Sequence, residues 1–245
     1  FLRMVAELNR KAPTLTAEEF DFELRKILAA GGDSHTNLEW RPEEILPIEL
    51  SNFAEGVFVT AARQEEIDAL GMRLVAVDDL PIQEVRNRFA TIIPHENEPF
   101  LRRVFPIYLR SPRFLQLLGV TPDAEEVLFT FADYQGDRFS VPLAPVSTEE
   151  TQEYIRVTNR LGYTRENAPL YLLNSNKLYW LEHDPSRELL YLGYNSCQED
   201  PDYPVAELVS DIVTLLEEER ISTFVVDLRR NGGGSSEVLR PLIDR

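Results

Sequence analysis

The chain has 245 residues, 43% of them apolar and 27% charged, ordinary proportions for a soluble globular protein of one large or two smaller domains. Its formal net charge of −17 repels phosphate backbones and anionic lipid, which disfavours nucleic-acid and membrane-surface roles. Cys197 is the only cysteine, so an internal disulfide and a Cys-based zinc cluster are excluded.

The three histidines, His35, His95 and His183, are far apart, and none sits in an HExxH frame. No metal and no cofactor are expected. No apolar run is long enough to span a bilayer, and charges break the first segment where a signal peptide would need an apolar stretch. A start at Phe1 rather than Met is what a processed or trimmed product would show.

Three parts are expected. In the first, residues 1–52, Thr16 and Glu19 have capping-box spacing ahead of a helix, with Phe20, Leu24, Ile27 and Leu28 on its inner face. Gly31 and Gly32 end that helix, and "DSHT" follows. The second part, 53–146, reads as β-rich. "EGVFVTAA" and "MRLVAVDD" have strand character, "LPIQEVRNRF" turns into a helix, and "EEVLFTFADYQGDRFSVPLAP" folds as a hairpin about Gly136. Between Ile92 and Pro122, five prolines suggest an insertion or long connection. His95 beside Pro94, and His183 beside Asp184-Pro185, read as solvent-facing.

The third part, 147–245, opens with a capping-box pattern at Ser147 and Glu150, with Gly162 as the stop. "LYLLN", "KLYWLE" and "ELLYLGY" read as strands. "DYPVAELVSDIVTLLEEE" is an amphipathic helix with Val205, Leu208, Val209, Ile212 and Leu216 inward. Then "STFVVDL" reads as a buried strand. Strand, helix and strand in that order predict a βαβ unit and a parallel sheet, with a site at the C-terminal edge of its strands.

At that edge stand Asn231 and three glycines, Gly232 to Gly234, before a helix-like start. Backbone N–H groups gathered there attract anions. A Walker loop fails, because Ser235 and Ser236 stand where a Lys-Ser/Thr pair is needed. A dinucleotide loop fails too, since Glu237 takes the last glycine position. An oxyanion site for acyl transfer remains, as does a plain tight turn. Ser235 and Ser236 lack the GxSxG elbow and are most simply helix caps. Cys197 has no identifiable activating base.

"FVVDLRRNGGG" resembles the Asp-Leu-Arg-x-Asn-x-Gly-Gly signature of the tail-specific, or C-terminal-processing, serine peptidases. Asp227, Leu228, Arg229, Asn231, Gly233 and Gly234 match, and Gly232 takes a variable place. "LGMRLVAVDDLPIQEV" is similar to the PDZ-like module of that family, with Met72 where many members carry an acidic residue. "GGDSHT" resembles its Asp-x-His-Thr element, and the serine before the histidine places the closest likeness in the tricorn-core branch. Other branches use a Ser–Lys dyad.

The resemblance implies an α/β fold: an N-terminal helical segment, a PDZ-like β-rich module, and the beginning of a Clp-protease/crotonase-like core. It implies a serine-type endopeptidase with His35 as base, Ser34 orienting it, and Gly233 or Gly234 in the oxyanion hole. Asp227, Arg229 and Asn231 would brace the glycine loop. Gly56, Val57 and Phe58 could offer backbone N–H groups to a peptide C-terminus that adds as a strand. The expected partners are a peptide or protein substrate, and either further copies of the chain or the missing C-terminal half of the core. An extracytoplasmic setting is favoured by the family alone. The nucleophile of the family lies downstream of the glycine motif, and none of the eleven residues after Gly234 matches its element. The chain is therefore expected to be an N-terminal portion, inactive alone, with an uncovered sheet edge. A non-catalytic binder of peptides or apolar ligands on the same scaffold is the alternative.

Overall fold

The structure, a computed structural model, describes residues 1–149 and 154–244. Contacts gather into two compact units, Phe1–Gly162 and Tyr163–Arg245.

The first unit opens with helices α1 (Leu2–Lys11) and α2 (Ala17–Ala29). The capping box at α2 forms as its spacing predicts: Glu19 N–H donates to Thr16 Oγ1 at 3.2 Å, and Thr16 N–H donates to Glu19 Oε2 at 2.8 Å. The buried face differs from expectation. Phe20 is exposed, whereas Phe22, Arg25 and Ile27 are buried. Arg25 can turn inward because its guanidinium donates to Asp21 Oδ2, Leu38 O and Glu39 O, so no N–H is stranded on that side.

The main sheet has seven strands, five of them in the order β2 (Ile48–Phe53), β3 (Gly56–Ala62), β4 (Arg73–Val77), β6 (Val127–Ala132) and β7 (Arg138–Leu143). Short β5 (Leu80–Pro81) pairs with β4, and β9 (Ile155–Arg156) pairs with β3. A separate pair joins β1 (Glu44–Ile45) to β8 (Val146–Ser147). The hairpin about Gly136 is β6–β7, with Asp133 Oδ1 accepting the N–H groups of Gln135, Gly136 and Asp137.

The proline-rich stretch is not a bare connection. It holds α4 (Glu98–Tyr108) and α5 (Pro112–Leu117), whose Leu101, Phe105, Leu109, Phe114 and Leu115 join the same core as Val57, Val59, Leu74 and Phe129. Pro99 and Pro112 sit in the first turns, where a missing N–H costs nothing, and Asn97 and Ser111 cap them. The helix α3 (Ile82–Phe89) contributes Val85 and Phe89. His95 is half-buried rather than solvent-facing, its Nδ1 lying 2.6 Å from Ile93 O.

Ser147, the expected helix cap, pairs with Glu44 in β8, residues 148–149 enter a 3₁₀ turn, residues 155–156 lie in β9, and α6 (Val157–Arg160) precedes Gly162. Glu150, the other half of that proposed cap, lies outside the described residues.

The second unit carries β10 (Tyr179–Asp184), β11 (Leu189–Tyr194), α7 (Val205–Glu218) and β12 (Thr223–Asp227). "LYLLN" is a single 3₁₀ turn at Leu170–Leu172, not a strand. Antiparallel β10–β11 and parallel β11–β12 form a three-stranded sheet, with α7 as the crossover between the parallel strands. Val205, Leu208, Val209 and Ile212 are buried against Tyr179, Leu190, Leu192 and Tyr194, but Leu216 faces out at 47% exposure. β12 is not the buried strand its composition suggests. It lies at the sheet edge, and Phe224 and Val226 are 37% and 44% exposed. α8 (Arg240–Ile243) ends the described chain.

Candidate active site

The Ser-His element lies in the first unit and the glycine loop in the second. After Gly32, held at φ +67°, the chain makes a turn organised by Asp33. Its carboxylate accepts the N–H of His35 at 3.1 Å and the hydroxyl of Thr36 at 2.6 Å. Asn37 closes the turn by donating to Ser34 O. Ser34 does not reach the imidazole by hydrogen bond; its hydroxyl and its N–H both go to Glu96 Oε1, at 2.7 and 2.8 Å. Glu96 is the residue the sequence reading misses, and a partner 62 residues away leaves no local signal.

The His35 ring is 94% exposed, with Nδ1 3.6 Å from Asp33 Oδ1 and 4.0 Å from Glu96 Oε1. Hydrogen bonds from Thr36 and from His35 N–H hold the Asp33 carboxyl below its usual range, and the Ser34 donors do the same for Glu96. Both carboxylates face the Nδ1 side of the imidazole. The three groups could also reach one cation, since their ligand atoms lie within 4.8 Å of one another, yet all three side chains are exposed.

The glycine loop leaves the C-terminal end of β12, the edge a βαβ unit offers to a ligand. Asp227 and Arg229 form an ion pair through Nε and Nη2, and the Arg229 N–H also donates to Asp227 Oδ1 at 2.9 Å. Tyr191 adds a phenolic hydrogen bond to the same carboxylate. The Arg229 guanidinium then lies 4.1 Å from the centre of the Tyr171 ring, and Arg230 Nε donates to Tyr171 O. These donors depress the Asp227 carboxyl strongly, while burial and the neighbouring carboxylate push the Tyr191 phenol up to about 12.

Asn231 organises the glycines. Its Oδ1 accepts the N–H of Gly233 at 2.7 Å, and its Nδ2 donates to Tyr194 O at 3.1 Å. Backbone bonds on both sides of Cys197 clamp the loop: Cys197 N–H to Gly233 O at 2.9 Å, and Ser235 N–H to Cys197 O at 3.0 Å. Gly234 sits in this clamp at φ +127°, and a Cβ there would lie 2.4 Å from Cys197 O. Gly232 N–H donates to Asn195 O. The N–H of Gly234 makes no hydrogen bond among the described residues. Ser235 caps the following 3₁₀ turn, its Oγ accepting from Glu237 N–H. Cys197 acts through its backbone, with Sγ 3.6 Å from the Asn231 side-chain amide. The Tyr191, Tyr194 and Cys197 contributions are missed from sequence, although the adjacent "YLGYNSC" strand end carries all three.

Gly56, Val57 and Phe58 do not present an open edge. They pair with Phe53, Asn52 and Ser51 of β2, and Val57 and Phe58 also pair with Leu74 and Arg73 of β4. Strand addition there is corrected: the backbone groups serve the sheet.

Solved structures share this fold along nearly the whole chain. A structure of mature CPAF complexed with lactacystin superposes on 99% of it, at a TM-score of 0.61 and 14% identity. This is a tail-specific-protease-like fold. A second structure of mature CPAF matches 96% of the chain at a TM-score of 0.59 and 14% identity, and a serine-to-alanine mutant of CPAF matches 99% at 0.60 and 12%. CPAF is a chlamydial serine protease, so the likeness is not to the tricorn branch that the Ser-His pair suggested. The chain spans about half the length of the CPAF chains it matches, 50–52%. No family model and no curated protein matches the sequence.

Proposed function

We propose that this chain is the N-terminal portion of a serine peptidase that cleaves peptide bonds through an acyl-enzyme. The observation that carries the reading is the Gly234 N–H, left without an acceptor among the described residues while the Gly233 and Ser235 N–H groups on either side are bonded. Such a donor, fixed before the reaction, can stabilise an oxyanion without reorganising. His35 is the general base, with Asp33 and Glu96 holding its Nδ1 side negative. A serine outside residues 1–245 attacks the carbonyl carbon as His35 takes its proton. The tetrahedral oxyanion binds Gly234 N–H. His35 then returns the proton to the departing amine, and water repeats the sequence on the ester to release the acid. The 53–146 region, as a PDZ-like module, selects or gates the peptide end through a surface other than Gly56–Phe58.

A binding protein without catalysis is the second reading. It is favoured by the 94% exposure of His35 and by Ser235 acting as a cap rather than a nucleophile. The two are separated by treating the native gene product with a serine-directed phosphonate and measuring intact mass. One adduct on a chain heavier than 28.2 kDa, lost on His35→Ala, is the result expected of the peptidase. An unlabelled protein that still retains peptides would leave the binding reading.

A further inference from the structure

We propose that the open edge of β10 is a docking strand for an extended, basic polypeptide segment, which adds to the three-stranded sheet of the second unit. The site is separate from the glycine loop and does not depend on the peptidase reading.

β10 ends the order β10-β11-β12, so one of its sides is unpaired among the described residues. The bond from Asn195 N–H to Leu178 O, at 2.8 Å, fixes the alternation of the ladder. Trp180, Glu182 and Asp184 are then the residues whose backbone faces β11, in register with Gly193, Tyr191 and Leu189. Tyr179, Leu181 and His183 direct their N–H and C=O groups away from it. Three such residues at alternate positions make one ladder face. The register with β11 runs through all six residues without a bulge, and no proline interrupts it, so neither of these devices blunts the edge, whose charges are acidic.

Alongside this edge runs a groove of about 1040 Å³, which has room for several residues of extended chain. Glu182, Asp200, Asp202 and Asp211 line it, against Arg165 and Lys177. None of the four carboxylates pairs with a cation among the described residues; Asp211 accepts only the Tyr203 hydroxyl, and Asp200 the Asp202 N–H. His183 Nε2 is buried there without a hydrogen-bond partner. Main-chain bonds supply affinity in strand addition, and the flanking side chains supply specificity. The acidic wall selects Lys and Arg. It also argues against a second copy, because two-fold pairing of β10 edges would face one acidic groove with another.

The test titrates the native gene product with a short fluorescent peptide of alternating lysine and valine, and with its glutamate–valine counterpart, by anisotropy. The lysine peptide is expected to bind, the glutamate peptide at least about tenfold more weakly, with loss at high salt. Leu181→Pro removes the central outward N–H and is expected to abolish binding. Because that change could unfold the strand, Asp200→Lys with Asp202→Lys, both off the sheet, is the second variant, with about tenfold weakening expected. Reversal of Glu217 and Glu218 should leave binding unchanged. Equal binding of the two peptides, or equal weakening by the Glu217/Glu218 reversal, would assign the effect to net charge and overturn the proposal. So would concentration-dependent dimers in sedimentation that Leu181→Pro abolishes, since the edge would then belong to a second copy.

Discussion

Asn231 Oδ1 accepts the N–H of Gly233 at 2.7 Å, and the N–H of the next residue, Gly234, has no acceptor among the described residues. The geometry depends on Gly234 having no side chain. Alanine there would put Cβ 2.4 Å from Cys197 O at φ +127°, so the clamp would have to open. Gly234→Ala is expected to destabilise the second unit by about 2–4 kcal/mol. At Gly232 a Cβ would meet nothing within 4 Å, and Gly232→Ala should change stability by less than about 1 kcal/mol. Urea unfolding followed by Trp180 fluorescence, in a Trp40→Phe background, measures both.

The Asp227–Arg229 pair predicts an acid-sensitive loop. Asp227 is depressed in the folded protein, so the stability it contributes is present above the unfolded aspartate value of about 3.9 and lost as pH falls below it. The Asp227 side chain is 8% exposed but that of Arg229 is 61% exposed, so solvent screening holds the contribution to roughly 1–2 kcal/mol. Unfolding curves from neutral pH downward should show this loss begin near that value. In Asp227→Asn the same component should be absent; an unchanged acid limb would assign the sensitivity to other carboxylates.

Much of the architecture was legible because it rests on local rules. Thr16 and Glu19 announce their capping box, Gly136 its hairpin, and the run from Val205 to Ile212 the crossover helix that makes β11 and β12 parallel. The failures come from tertiary context. Phe20 and Leu216 lie on plausible apolar stripes, but no element among the described residues covers them. The prolines at 99 and 112 read as loop punctuation although they begin helices. At the candidate site, the Asp227-to-Gly234 motif is contiguous and visible as a motif. Glu96 beside Ser34, and Tyr191 beside Asp227, come from elsewhere in the chain and carry no spacing to read.

Phe105 tests the proline-rich region as core. Its side chain is fully buried on α4 and meets Phe89 edge-on, with ring centroids 5.6 Å apart. Phe105→Ala is expected to cost about 3–5 kcal/mol, because the cavity lies between a helix and a sheet that can close only partly. Exposed Ile107 on the same helix should cost less than about 1 kcal/mol when changed to alanine. Similar small effects at both positions, read from unfolding followed by Trp40, would mean that α4 is a dispensable insertion.

Tyr191 gives the alkaline counterpart of the Asp227 prediction. Burial, the hydrogen bond to Asp227 and that carboxylate's charge all favour the neutral phenol and raise it to about 12. A raised folded value means that its stabilising contribution is complete below the unfolded tyrosine value of about 10, and declines as pH rises through the folded one. Phenolate absorbance should therefore lose one late-titrating component in Tyr191→Phe, while other raised tyrosines, Tyr194 and Tyr203 among them, still titrate late. In Asp227→Asn the carboxylate charge is gone while the burial remains, so the same titration should move down only part of the way toward the ordinary value. A full return would mean that the ring is solvated and that Asp227 alone holds the proton. No movement would show that burial sets the value and that the Tyr191–Asp227 bond contributes little to bracing the loop.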